Sequence, residues 1–553
     1  MKPIFPYWLK YKKQMLFAFL FLTLESICDL AQPTIVSLII DDGIKNNSLE
    51  TVIKMGSLMF LVAVFGAANA IGRCVISSRT SQNFGADIRS GLYKKICSFS
   101  FAARGKYETA SLVTRLTNDS SQLTNFTNGI MRVLIKAPIL LCGAVFMVLL
   151  LNIKLAPVLL VIIPIIIALI YFGMKAGFPY FEKMQKALDN NNAVIREYLS
   201  GVRVVKAYNT FDEEVARFGK TNKELTGISI AADRVMGAFS PAIALTLNLG
   251  IVAALWLARG WVAEQDMQIG QIVAFINYMT QILFSLNIIF NIYQQFIRAR
   301  ASADRVGAVL TERGEESGGE CRLPIEGGVK FENVSFAYND RSAPALTNVS
   351  FELKPGETLG IIGSTGSGKT TLAHLLMRFY DPTDGKIYVD GTDAREYETA
   401  WLRSHFALVS QQNMLFYGEI SENIRMGNYN ASDAEIKNAA ANAQAHDFIS
   451  SFANGYQSML GQKGVNVSGG QKQRISIARA LIKKSKLLIL DDCVSAVDAE
   501  TEARILQAVR KLKTSPACIM ITQRVSSIMR FNNILVLDEG HAVGFGSHSH
   551  LME

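Results

Sequence analysis

The chain has 553 residues, of which 50% are hydrophobic and 19% charged, and it carries a formal charge of +9. That length holds two or three domains, and the apolar excess, concentrated before about residue 300, is high for a soluble protein. The Lys and Arg residues fall between apolar stretches instead of forming one patch, which argues against a nucleic-acid surface and for the retained side of membrane helices.

Seven cysteines are scattered without a C-x-x-C pair. An odd number at such spacing argues against a disulfide framework or a zinc site. All six histidines lie at or after His374, so no histidine relay crosses the apolar half.

A helix crossing a hydrocarbon layer of about 30 Å needs about 20 apolar residues. Segments 155–174, 235–258 and 267–297 carry no charge, and 55–72 and 137–153 are only slightly shorter. The first stretch, 14–40, is interrupted by Glu25 and Asp29 and has no small-residue cleavage site, so it reads as a retained helix. Six spans are predicted. Lys10, Lys12 and Lys13 precede the first, 73–132 and 175–234 are long and rich in charge, and 41–51, 152–154 and 259–266 are short. The positive-inside rule puts the N-terminus, both long connections and the C-terminal half in the cytoplasm. Charges on helical spacing at 182–186 and 212–217 predict that the second to fifth helices continue beyond the membrane.

Glu25 and Asp29 stand four apart on one helix face. Intramembrane carboxylates point to function by default, here a site for cationic substrates. The alternative is a structural hydrogen-bonded pair inside the bundle, and nearby Pro33 favours it. Phe239, Phe284, Phe290 and Phe296 could line a cavity, although aromatics at helical spacing more often serve packing.

Segment 312–328 is polar and glycine-rich, as a domain boundary would be. The predicted division is a membrane domain over 1–310, a linker over 311–328 and a nucleotide-binding domain over 329–553. Beyond the linker, a strand-like run enters Gly363-Ser364-Thr365-Gly366-Ser367-Gly368-Lys369-Thr370, followed by a helical pattern. This is G-x-x-x-x-G-K-[ST] in its strand–loop–helix setting. The glycines let backbone N–H groups wrap a phosphate, Lys369 neutralises its oxygens, and Thr370 can ligand Mg²⁺. A second apolar strand, 487–490, ends in Asp491-Asp492. Acidic groups at that edge of a parallel sheet can hold Mg²⁺ and water, with Asp491 acting through the water shell.

Val467-Ser468-Gly469-Gly470-Gln471 resembles the signature of ATP-binding cassettes. The resemblance extends over the chain: six spans before one cassette are similar to an exporter-type half-transporter. It implies an all-α six-helix transmembrane domain followed by an α/β P-loop NTPase of the ABC type, with ATP and Mg²⁺ as ligands. It implies that Tyr338 stacks on adenine, that Thr371 joins the ATP contacts, and that Gln411 senses Mg²⁺ and meets the membrane domain. Ser495 and Asp498 would form the loop linking paired sites, and the signature would cap ATP held by an opposite cassette. Short coupling helices would fall near 110–118 and 209–214. An end at Glu553 is early for that family, so a C-terminal tail is expected beyond it.

Two positions depart from the pattern. Asp492 stands where most active members carry glutamate, and Gln523 where most carry histidine. Asp492 is one methylene shorter, and misplacement by about 1 Å can cost about 10²-fold in rate. Gln523 can donate a hydrogen bond but cannot carry an imidazolium charge. Gln462 also replaces a common glutamate and is read as altered coupling. The expectation is a heterodimer with a second half-transporter bearing the glutamate and histidine, in a bacterial-type inner membrane, moving a small amphipathic substrate (drug, lipid or peptide). The alternatives are a homodimeric exporter, an importer of the same fold and a non-transporting ATP-sensing regulator.

Overall fold

A computed structural model describes residues 2–264, 267–315, 318–339, 343–512 and 515–553. The chain divides into two compact units. One is Met1–Cys97 with Thr109–Glu312; the other is Ser98–Glu108 with Arg313–Glu553.

In the first unit, six helices among the described residues are long and apolar enough to cross a membrane. They are α1 (Lys12–Ile44), α2 (Leu49–Cys97), α3 (Thr109–Leu151), α4 (Ile153–Tyr208), α5 (Phe211–Ala263) and α6 (Ile269–Thr311). At 1.5 Å per residue the 53 residues of α5 span about 80 Å, well over twice the hydrocarbon thickness. The excess length is the charged part, held by exposed pairs such as Lys186–Glu182 at 2.7 Å and Arg217–Glu197 at 2.6 Å. Between α4 and α5 the chain reverses at Asn209, whose φ of 54° is one that asparagine tolerates.

Buried polar contacts tie the apolar helices together. Tyr278 donates to the Leu30 carbonyl at 2.6 Å, and Asp41 accepts the Gly270 N–H at 2.7 Å near the start of α6. A Cβ at Gly270 would lie 2.4 Å from the Asp41 carboxylate, so glycine is needed there. Glu25 pairs with Arg73 of α2 and Lys136 of α3, each at 2.6 Å, and Lys136 also meets Asp29 at 2.9 Å. The two carboxylates face cations of their own chain, which favours the structural reading over a cationic-substrate site. Phe239 borders an apolar cavity of about 150 Å³ with Met174, Met236 and Asn287, whereas Phe284 is exposed. Phe296 packs near Phe126 at a ring separation of 5.8 Å, and the Phe290 side chain lies outside the described residues.

In the second unit, β1 (Val329–Phe336), β2 (Leu346–Leu353), β4 (Asp384–Val389) and β5 (Thr392–Asp393) form an antiparallel sheet in the order β2-β1-β4-β5. A six-stranded sheet uses β3 (Thr358–Gly363), β6 (Phe406–Val409), β9 (Leu487–Asp491), β10 (Ala517–Ile521), β11 (Asn533–Asp538) and β12 (His541–Gly546). Its order is β12-β11-β3-β10-β9-β6, parallel except at β12, and a small ribbon pairs β7 (Gly418–Glu419) with β8 (Met459–Leu460). The unbroken apolar runs of β9 and β10 are buried throughout, as strands covered on both faces must be.

The loop between α2 and α3 contributes a short helix, Phe101–Gly105, to this unit; the Ser100 hydroxyl caps it. Phe101 stacks on Phe379 at 4.1 Å, and the Glu315 N–H donates to the Ser98 carbonyl at 2.6 Å. The expected position at 110–118 is instead the beginning of α3, inside the membrane unit. The segment grouped with the cassette is the one that carries Phe101, ahead of the expected position. Around 209–214 there is a turn and the start of α5, with no separate short helix.

Candidate functional site

The phosphate-loop motif lies between β3 and helix α7 (Lys369–Leu376). Gly366 and Gly368 have φ of 88° and 94°. A Cβ at Gly368 would sit 2.5 Å from the Ala345 carbonyl oxygen, so both space and dihedral demand glycine. At Gly363 the obstacle would be the Leu537 carbonyl, 2.1 Å away. The loop closes on itself: Ser367 N–H donates to the Ser364 carbonyl, and Ser364 Oγ reaches Asp538 at 3.2 Å. Lys369 Nζ donates to the carbonyls of Gly363 (2.9 Å) and Ser364 (2.6 Å), folding over the loop. Burial pushes its ammonium below the usual lysine range, opposed by Asp491 and Asp492.

Asp491 ends β9, beside the loop, and is 3% exposed. Thr370 Oγ1 donates to its Oδ1 at 3.3 Å. Burial raises the Asp491 carboxyl above its ordinary range, with the Thr370 hydroxyl and Lys369 opposing. Asp492 follows with φ of 45°, a conformation that aspartate tolerates better than most residues. Its N–H is fixed by the Ile521 carbonyl at 2.9 Å, and Gln411 Nε2 approaches its Oδ2 at 3.4 Å.

These groups converge on one cavity of about 260 Å³. Tyr338, Thr365, Gly366, Gly368, Lys369, Thr370, Thr371, Gln411, Asp491, Asp492 and Gln523 all border it. Tyr338 is held there by Thr371, 3.0 Å from its hydroxyl, and by the edge-on ring of Tyr380. Gly363, Ser364 and Ser367 shape the loop from behind. The donor set fits a triphosphate carrying Mg²⁺: a phosphate-sized loop with an ammonium, then a hydroxyl and a buried carboxylate on the metal side. Thr370, Asp491 and Gln411 are the residues that would hold the ion, which supplies charge neutralisation at the phosphates. Sequence reasoning missed Ala345, Ile521 and Thr522 on the wall, because each contributes shape and backbone and belongs to no motif.

None of Val467, Ser468, Gly469, Gly470 and Gln471 borders this cavity. They open helix α8 (Gly469–Leu481), where Ser468 and Gln471 cap each other reciprocally through backbone N–H groups. A Cβ at Gly470 would lie 2.8 Å from the Ala496 carbonyl, which keeps α8 against the loop after Asp492. Gln473 bridges the two: its amide oxygen accepts the Ala496 N–H at 3.0 Å, and its Nε2 reaches Ser495 Oγ at 3.3 Å. Asp498 ends that loop by capping the next helix, accepting from the Thr501 N–H at 2.9 Å and hydroxyl at 2.8 Å. Those bonds hold its carboxyl below the usual range.

A six-span helical unit joined to a cassette with a phosphate loop and a separate signature helix defines an ABC transporter. Residues 15–286 match the ABC transporter transmembrane region family, residues 346–495 match the ABC transporter family, and the chain belongs to this family. It is 39% identical to the ABC transporter ATP-binding protein YfiB of Bacillus subtilis, over 97% of this chain and 93% of that one. It is 30% identical to the ATP-dependent lipid A-core flippase of Vibrio vulnificus, over 98% and 94% of the two chains. A solved bacterial Atm1-family ABC exporter with ATP bound shares the fold, with a TM-score of 0.82 and 25% identity over 98% of this chain and 96% of that chain. The protein is therefore a multi-pass ABC transporter of the exporter type, whose cassette implies transport coupled to ATP.

Proposed function

We propose that this chain is the ATP-retaining subunit of a heterodimeric exporter. The observation that supports this reading is the placement of Asp492 and Gln523. Both border the same cavity as Lys369, Thr370 and Asp491, while the intact signature does not border it. In this account Tyr338 takes the base, the Gly363–Thr371 stretch cradles the phosphates, and Asp491 holds Mg²⁺ through water. Asp492 is too short to orient attacking water, and Gln523 lends a neutral hydrogen bond where an imidazolium would stabilise charge. The signature, with Ser495 and Asp498 beside it, completes a second site on the partner's phosphate loop. The partner would carry glutamate and histidine at the matching positions. The functional division follows 1–310, 311–328 and 329–553, with the N-terminus and cassette cytoplasmic in a bacterial inner membrane.

Tagged protein purified from its native membrane tests the pairing. Mass spectrometry should find a second half-transporter near one-to-one stoichiometry, and the chain purified alone should hydrolyse little ATP. Brisk hydrolysis by an assembly of identical chains would contradict the proposal.

A further inference from the structure

Several cations of the membrane unit have carboxylate partners. Arg73 and Lys136 meet Glu25, and Arg305 meets Asp119 at 2.5 Å. Arg132 and Arg298 differ. Neither has a carboxylate partner among the described residues, and both border one cavity of about 580 Å³ between α3 and α6. Arg298 is the first charge after the uncharged run 267–297, and Arg132 lies five residues before the apolar stretch beginning at 137. Both therefore lie at the ends that the positive-inside rule assigns to the cytoplasmic side.

The wall also carries four amides, Gln122, Asn125, Asn128 and Gln295, together with Gly129 and Val133. Asn128 Oδ1 is buried without a hydrogen-bond partner among the described residues. Arg132 is oriented by neutral groups alone, donating from Nε to Ser77 Oγ at 3.1 Å and from Nη2 to Cys74 Sγ at 2.5 Å. It sits in a π-helical turn, Ile130–Leu134, of the kind that recurs at functional sites. Gly129 lets Gln295 approach, since a Cβ there would lie 2.9 Å from its Oε1. Ordinary boundary arginines extend toward lipid headgroups outside the bundle. Here the two guanidinium groups share a concave wall with four amides and no acid.

We propose that this basin binds the anionic group of the transported amphiphile, a phosphate or carboxylate whose oxygens the two guanidinium groups receive while the amides bond adjoining hydroxyl or amide groups. The inference rests on the chain being a transport subunit, but binding needs no hydrolysis, so the two readings fail separately.

The test is equilibrium binding of fluorescent phosphatidylglycerol and phosphatidylcholine to the full-length transporter in neutral detergent, with inorganic phosphate as competitor. Phosphatidylglycerol should bind at least tenfold more tightly, and that preference should fall as salt rises. R132Q/R298Q should erase the preference, and R132K/R298K should keep most of it. If the double glutamine variant does not fold, N128D places a like charge in the basin and should weaken phosphatidylglycerol binding at least tenfold with phosphatidylcholine unaffected. Displacement by millimolar inorganic phosphate would identify a free anion as sufficient; resistance to it would assign the site to a lipid headgroup. Equal binding of the two lipids, or phosphatidylglycerol binding unchanged in R132Q/R298Q or in N128D, overturns the proposal.

Discussion

Gln411 Nε2 lies 3.4 Å from Asp492 Oδ2, joining residues 81 apart in sequence at the edge of the nucleotide cavity. The amide meets a carboxylate that, at glutamate length, would reach farther into the cavity. Asp492→Glu in the assembled transporter should therefore raise hydrolysis at this chain's site, by up to about 10²-fold if position alone is limiting. Adding Gln523→His should raise it further. Single-turnover rates measured on both variants check this, and a rate unmoved by either would place the limit in the partner's signature.

Asp491 gives a pH prediction. Burial raises its carboxyl in the folded protein, so the neutral form favours the fold, and stability is lost as pH rises through that folded value. Asp491→Asn is permanently neutral. Without nucleotide it should melt higher than the wild type at pH 8, with the gap closing as the wild type takes up its proton at lower pH. The same variant should bind MgATP at least tenfold more weakly. Melting curves across pH and equilibrium nucleotide binding provide the two readings.

Glu25 is 6% exposed and holds two cations. Glu25→Ala deprives Arg73 of its carboxylate and leaves Lys136 with Asp29 alone, which should cost about 3–5 kcal/mol, as broken buried pairs do. Glu25→Ala/Lys136→Ala should cost less than the sum of the single changes. Thermal unfolding of the detergent-solubilised protein measures both.

Phe101 contributes the aromatic contact between the α2–α3 loop and the cassette. Stacked rings add about 0.5–1.5 kcal/mol beyond their buried area. Phe101→Ala should therefore speed amide hydrogen exchange across 98–108 while nucleotide affinity stays within twofold. Unchanged exchange there would show that the backbone bond from Glu315 to Ser98 suffices to hold the segment.

The sequence announces local devices well and distant partners poorly. The uncharged runs 155–174, 235–258 and 267–297 reveal spans because hydrocarbon tolerates no unpaired charge. Gly363–Thr370 reveals its turn because only glycine accepts φ near 90° against a neighbouring carbonyl. In contrast, Arg73 and Lys136 look like ordinary loop-edge cations until the fold brings them to Glu25. The 110–118 expectation for a coupling helix came from the family resemblance, whereas the contact belongs to Phe101, a residue with no periodic signal. Nor could spacing show that Arg132 and Arg298, 166 residues apart in number, share a wall from which carboxylates are missing.

The most direct measurement counts cleaved ATP in the closed transporter. The pair, isolated from its native membrane, is loaded with radiolabelled ATP, chased with unlabelled nucleotide and quenched within one turnover. The account predicts one ADP and one intact ATP per transporter, the intact one crosslinking to this chain through an azido-adenine probe. Two ADP per transporter, or an intact ATP crosslinked only to the partner's phosphate loop, would contradict it.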